Sequence, residues 1–263
     1  MAKQIIAACI IVLLTSCSTA KMAVDESQWN NTQELAVKGR QGLLIKQKLS
    51  FGEYKTVSVN RSWTKGSSSF AGWATGRPGY NDYERVIGTE YSQRKQTIRF
   101  EMTDDKGNES SVFCLSRSRE KDFMIGNNPN SLLNILLDIS GKGDMSENTF
   151  WTKIFINNQS RSWEMLLDNE ASQRNSKSYT GVVAQSHDDY YTIHPVYKIA
   201  GKNEKVYTMP VGSVGFELRN KEGKPVAAVS AIDKGAVYLN STDPGEKFLL
   251  SNICAAILLR ESI

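Results

Sequence analysis

The chain has 263 residues, enough for one large domain or two small ones, and at 40% hydrophobic and 23% charged it can build a core and is not disordered overall. Its formal net charge of +4 is slight and spread along the chain, so it gives no support for nucleic-acid binding, where basic clusters on one face are expected.

The elements begin with a targeting segment over residues 1–16. "MAKQ" carries one lysine, and "IIAACIIVLL" (5–14) is an apolar run of signal-peptide length, too short to span a bilayer. It runs into Leu14, Thr15, Ser16 and Cys17. An aliphatic residue, two small residues and a cysteine resemble the lipobox of bacterial lipoproteins. The resemblance implies cleavage before Cys17 and diacylglycerol on its sulfur. "IAAC" (6–9) has the same form, but almost no apolar run precedes Cys9. The alternative is an ordinary secretory signal with an incidental cysteine. Ser18 after the cysteine resembles the pattern released to the outer membrane, and no acidic run follows, so the expected location is the periplasmic face. Anchoring by more than one acyl chain is stable, since each buried methylene adds about 0.8 kcal/mol.

Removing the leader leaves Cys17, Cys114 and Cys254. In an oxidising compartment Cys114 and Cys254 are free to form a disulfide, or to stay as two buried thiols. Residues 17–34 are polar without periodicity and read as a lipidated N-terminus and tether, leaving 35–263 as a single β-rich domain.

Within that domain "GLLIKQKLSFGEYKTVSVNRSW" has two β-rich runs split at Gly52. Ile98, Phe100 and Met102 alternate, the turn "DDKGN" follows, and Val112 to Leu115 begins the return strand, a hairpin signal. "FWTKIFINNQSRSWEMLLDN" repeats the form with a turn at "NNQS", and "SYTGVVAQSHDDYYTIHPVYKI" is similar. "VGFELRNKEGKPVAAVSAIDKGAVYLN" reads as three strands split by "KEGK" and "DKG". Strands joined by short turns predict a mainly β fold with a largely antiparallel sheet. A short helix over Leu132 to Leu137 interrupts the pattern.

The last element is a helix over 244–260. Asp243 can cap it, Pro244 suits its first position, and Glu246 stands where a capping box needs it. Its body, "FLLSNICAAILL" (248–259), is apolar on nearly every face, so it must be enclosed on every side. Twelve residues rise about 18 Å against the ~30 Å of a bilayer core, which argues against a membrane span. Strands that end in such a helix, "GFELRNKEGKPVAAVSAIDKGAVYLNSTDPGEKFLLSNICAAILL" (215–259), resemble the tubby-like superfamily, which includes the phospholipid scramblases and LURP-one proteins. The resemblance implies a closed antiparallel β-barrel around a buried hydrophobic C-terminal helix. A β-sandwich or β-roll with a packed helix is the alternative.

Catalytic motifs do not stand out: G-x-S-x-G, H-E-x-x-H and a Walker loop are all missing from the chain. His187, Asp188, Asp189 and His194 could meet around a metal only if a turn gathered them; a solvated loop edge is the plainer reading, and no metal or cofactor is expected. Residues 65–91 are irregular and rich in aromatics. Trp73, Tyr80 and Tyr83, with Arg77, Asp82 and Arg85, suit glycan stacking or a loop folded back on the barrel. In tubby-like proteins basic side chains on the barrel hold anionic headgroups. Lys46 with Lys48, and Arg117, Arg119 and Lys121, are the candidates here for that role. The expected protein is a lipid-anchored, non-catalytic envelope module that meets the membrane through Cys17 and contacts a lipid or protein partner. A glycan-binding lipoprotein and then a hydrolase-type enzyme are the further alternatives.

Overall fold

A computed structural model describes residues 20–24, 27, 29, 32–40, 47–64, 73–75, 84–89, 95–118, 123–124, 148–169, 172, 181–201, 205–210 and 212–260. In chain order the strands are β1 (Lys21–Met22), β2 (Gln33–Ala36), β3 (Ser50–Phe51), β4 (Tyr54–Thr64), β5 (Trp73–Thr75) and β6 (Glu84–Thr89). Then come β7 (Lys95–Thr103), β8 (Glu109–Ser118), β9 (Phe123–Met124), β10 (Asn148–Ile156), β11 (Trp163–Asp168) and β12 (Gly181–Ala184). The last six are β13 (Tyr190–Val196), β14 (Lys198–Ala200), β15 (Val206–Thr208), β16 (Gly215–Asn220), β17 (Pro225–Ser230) and β18 (Ala236–Leu239). The helix α1 (Pro244–Leu259) follows.

Twelve strands form one antiparallel sheet in the order β2-β18-β17-β16-β13-β12-β11-β10-β8-β7-β4-β3. Its two edge strands come together. Just past β2, Lys38 bridges Ser50 of β3, with N–H to O distances of 2.9 and 3.1 Å in the two directions. The sheet is therefore a nearly closed barrel, not a sandwich or roll. Gly39 makes the closure possible. It adopts φ 80°, and a Cβ there would sit 1.8 Å from the Lys48 carbonyl oxygen.

Strand alternation fills the interior. Ile98, Phe100 and Met102 of β7, Phe150 and Ile154 of β10, and Leu218 of β16 join one cluster with Phe248 through Leu250 and Ile253 through Leu259 of α1. Every residue from Phe248 to Leu259 is buried, as an all-apolar helix requires. Each large apolar side chain so buried contributes about 1.5–3 kcal/mol. The two polar residues of the helix body lie inside as well. Asn252 donates to the Phe248 carbonyl at 2.8 Å and accepts from the Ser110 hydroxyl on β8.

The cap is half of the expected box. Asp243 Oδ1 accepts the Glu246 N–H at 2.7 Å, but the Asp243 N–H goes to Ser241 Oγ at 3.1 Å. The Glu246 carboxylate turns instead to the barrel wall, where it accepts from the Tyr191 hydroxyl at 2.9 Å and from the Ser241 hydroxyl. Tertiary partners displaced the local one.

Residues 18–34 are not wholly a tether. β1 pairs with β14, and Met22 and Trp29 are buried against Ala228 and Tyr238 on the outside of the barrel. Trp29 Nε1 donates to Glu217 at 3.3 Å. One buried apolar residue and one buried indole order a stretch whose average polarity suggests a linker. The helix expected over Leu132 to Leu137 lies outside the described residues, as do Cys17 and the leader. Among the described residues no helix is long and apolar enough to cross a membrane.

Candidate functional site

The barrel is filled by its own helix, so chemistry is left to its two ends and its outer face. The end where α1 begins is acidic and internally satisfied. Asp243 and Glu246 spend their oxygens on the cap, Ser241 and Tyr191. Burial first, then the Glu246 charge beside it, raises the Tyr191 phenol above its usual range.

The end where α1 stops is cationic. The last carbonyls of a helix lack intrahelical partners and carry partial negative charge. α1 has no basic residue in its last turn, and the barrel wall supplies one. Arg61 of β4 stands in register with Ile98, which pairs with Cys114, both core residues, so its side chain faces inward. Its guanidinium donates to the Leu259 carbonyl at 2.7 Å and, through Nε and Nη2, to Gln47 Oε1 at 3.1 and 2.7 Å. Gln47 in turn donates to the Arg40 carbonyl at 2.6 Å. Arg40, set in place by the turn at Gly39, donates to the carbonyls of Ala231 and Asp233 at 2.7 and 3.1 Å. Arg260 caps the helix with its N–H on the Ala256 carbonyl at 3.1 Å. Its guanidinium lies 5.1 Å over the Phe216 ring and donates to Asn169.

Three guanidinium groups thus gather at one end. Arg40 and Arg260 take no part in the carboxylate ion pairs found among the described residues. Burial and then the charge of Arg40 pull Arg260 down to about 10, and burial lowers Arg40 as well. Both remain cations at neutral pH. One inward position beyond Ile98 and Cys114, the paired Gln96 and Ser116 bring buried polar groups to the same end of the wall. Neither Gln96 amide atom nor the Ser116 hydroxyl has a hydrogen-bond partner. Such groups cost about 1–3 kcal/mol each when left unpaired. The Arg40 and Arg260 guanidinium groups, whose donors are only partly used among the described residues, suit an oxyanion, a phosphate or carboxylate, through forked hydrogen bonds.

The residues singled out from sequence are placed differently. Lys48 is exposed just ahead of β3, and Arg117 occupies β8 opposite Lys95 and Thr149, one residue before that strand ends at Ser118. Lys46, Arg119 and Lys121 lie outside the described residues. Trp73 lies in β5, paired with β6, while Tyr80 and Tyr83 lie outside the described residues. His187, Asp188 and Asp189 are exposed in the turn before β13, whereas His194 sits in that strand opposite Glu217. His194 shares a 3.0 Å hydrogen bond with Thr192 and is pushed down to about 4, chiefly by burial and then by Arg219. Among the described residues no group of three metal-ligating side chains forms.

Cys114 and Cys254 are free, buried thiols, so the disulfide alternative is not formed. Both belong to the packed core between wall and helix, where a thiol serves as a small apolar side chain. Arg40, Arg61 and Arg260 did not stand out in the sequence. Arg61 could have been noticed by its parity, since it shares a face of β4 with Val59, which packs on the core. Comparisons with protein families, curated proteins and solved structures find no match to this chain.

Proposed function

We propose that this chain is a lipid-anchored envelope protein of tubby-like architecture, a non-catalytic binding module whose arginine-bearing end contacts anionic lipid headgroups. The observation that carries this reading is that the cationic end is also the end where the N-terminal strand arrives. Arg40 donates to Ala231, Ala231 N–H to Val214 at 2.8 Å, and Val214 N–H to Val196 at 2.7 Å. Two residues past Val196 begins β14, the partner of β1. A lipid on Cys17 holds that end near the leaflet, where headgroup phosphates are the most abundant oxyanions. Cations close to an anionic surface contribute about 1 kcal/mol each.

Residues 18–263 contain every described element, so that chain without its lipid is the material for the test. It should float with phosphatidylethanolamine–phosphatidylglycerol vesicles and not with phosphatidylcholine vesicles. Arg40→Gln should reduce partition about fivefold, the equivalent of one lost surface cation. Equal flotation with both vesicle types, unchanged by Arg40→Gln, would sink the headgroup reading. Native mass spectrometry of the same chain reports whether a phospholipid is retained.

A further inference from the structure

The small sheet β1-β14-β15 stands apart from the barrel wall. Met22 holds it there. Its sulfur lies close to Gly215, where a Cβ would come within 2.5 Å of it, and its side chain is buried with Trp29 and Tyr238. The far strand, β15, is an edge with no further partner among the described residues, and all three of its residues are exposed. Val206 and Tyr207 keep 52% and 50% of their surface, two of the three large apolar side chains so exposed among the described residues. An exposed flat edge with apolar residues is a liability unless something covers it.

Charge and chain length say what covers it. Val206 shares one face of the sheet with Lys198 and Lys21, while Tyr207, with Lys205, projects from the other face of the same edge strand; all three lysines are exposed. Lys205 Nζ lies 5.6 Å above the Tyr207 ring, and Lys21 meets the exposed carboxylate of Glu34 at 3.3 Å. Tyrosine and lysine around a small apolar centre are the side chains that settle at a bilayer interface, the ring among the headgroups and the ammonium toward phosphate. Three residues lie between Cys17 and Lys21, so the four chain steps reach at most about 14 Å fully extended.

We propose that the β1-β14-β15 sheet is a docking element for a phospholipid leaflet, seated along its β15 edge, from whose two sides Val206 and Tyr207 project among the lysines, beside the acyl anchor. The proposal rests on the reading of Cys17 as that anchor. Seating on this sheet fixes the orientation of the barrel, with the C-terminal end of α1 and its arginines toward the membrane. The turn between β16 and β17 then points away, because Asn220 pairs with Tyr191, which bonds Glu246 in the first turn of α1.

Site-directed nitroxide labels test it in the mature, anchored chain. Val206→Cys and Lys224→Cys each add an accessible thiol, while Cys114 and Cys254 are buried and stay unlabelled. In phosphatidylethanolamine–phosphatidylglycerol vesicles the label at 206 should collide more with oxygen than with a water-soluble nickel chelate, and the label at 224 the reverse. Mass spectrometry of the same sample reads the lipid on Cys17. Diacylglycerol present with both labels equally open to the chelate would overturn the docking surface and leave the anchor standing. A label at 206 shielded from oxygen and chelate alike would mean a protein covers the edge, and would overturn it too. An unmodified Cys17 would remove the anchor and this proposal together.

Discussion

The guanidinium of Arg61 donates to the carbonyl of Leu259 at 2.7 Å, across 198 residues of chain. One side chain on the barrel wall thereby supplies the C-terminal cap that the helix lacks in its own last turn. It also forks onto Gln47, so that wall, helix end and the segment leading into β3 are joined at one point. Replacing Arg61 with Met keeps the stem and removes the donors. The expected loss is about 2 kcal/mol, the scale of a hydrogen bond to a charged group. Arg61→Lys should recover only part, because an ammonium cannot reproduce the planar fork. Urea unfolding followed by circular dichroism measures both, and a wild-type midpoint for Arg61→Met would remove the cap from the account.

Enclosure of α1 makes a stronger prediction. Ile257 keeps 5% of its surface and belongs to the central cluster. Ile257→Asp buries a charge with no partner and should prevent folding, since the penalty of several kcal/mol rivals the whole stability of a domain. Ile253→Ala, at a fully buried site, is the milder companion, with an expected cost of about 2–5 kcal/mol. A soluble, folded Ile257→Asp chain with native near-ultraviolet dichroism would mean the helix is not the core.

Much of this core was legible from residue order. The alternation of Ile98, Phe100 and Met102 marks the inner face of β7, and the capping residues around Asp243 mark the first turn of α1. The hairpin turns were legible too, since Asn157 and Asn158 occupy positive φ in the β10–β11 loop. The cationic end was not. A lone arginine in an alternating strand reads as a solvated residue unless the register is known. That Arg61 faces inward follows from its pairing with Ile98 in the β4–β7 ladder, a contact between strands well separated in the chain. Arg40 and Arg260 meet only because Lys38 bridges Ser50 and because α1 runs through the barrel. Contacts among residues far apart in the chain leave no local pattern. Trp29 was missed for a different reason. One buried indole outweighs the polar residues around it.

The two core thiols have a chemical signature. Burial pushes the Cys114 thiol up to about 12 and the Cys254 thiol up as well. A thiol reacts as its thiolate, so neither should react with iodoacetamide at neutral pH while the chain is folded. After unfolding without reductant, both should alkylate. Peptide mass spectrometry reads the result. Modification of Cys114 and Cys254 only after reduction would mean they were bonded in the native protein.

His194 gives a pH dependence with a definite sign. Its folded value lies near 4, below the 6.5 usual for a histidine, chiefly because burial disfavours the charged ring and next because Arg219 stands nearby. Above pH 6.5 the ring is neutral in both states and costs nothing. As pH falls from 6.5 toward 4 the unfolded chain takes up the proton first, so stability is lost across that window. His194→Gln, which retains hydrogen-bonding capacity toward Thr192, should flatten the decline between those two values. Urea midpoints measured at steps through the window would show it; parallel slopes for the two proteins would assign the decline to other groups.

Closure of the barrel depends on a glycine at position 39. The residue sits at φ 80° with the Lys48 carbonyl oxygen where a Cβ would be, 1.8 Å away. Gly39→Ala therefore adds two penalties. A left-handed conformation costs a non-glycine residue about 1–2 kcal/mol. The overlap with backbone cannot be relieved by a rotamer, so the Lys38–Ser50 bridge must open. The expected outcome is a folded but weakened chain whose edge strands β2 and β3 exchange amide protons quickly while β7, β8 and β10 stay protected. Gly107, also at positive φ but with no atom within reach of an added Cβ, is the control: Gly107→Ala incurs the conformational cost alone. If the two variants show the same midpoint and the same exchange pattern, the close approach at Gly39 is not what holds the barrel shut.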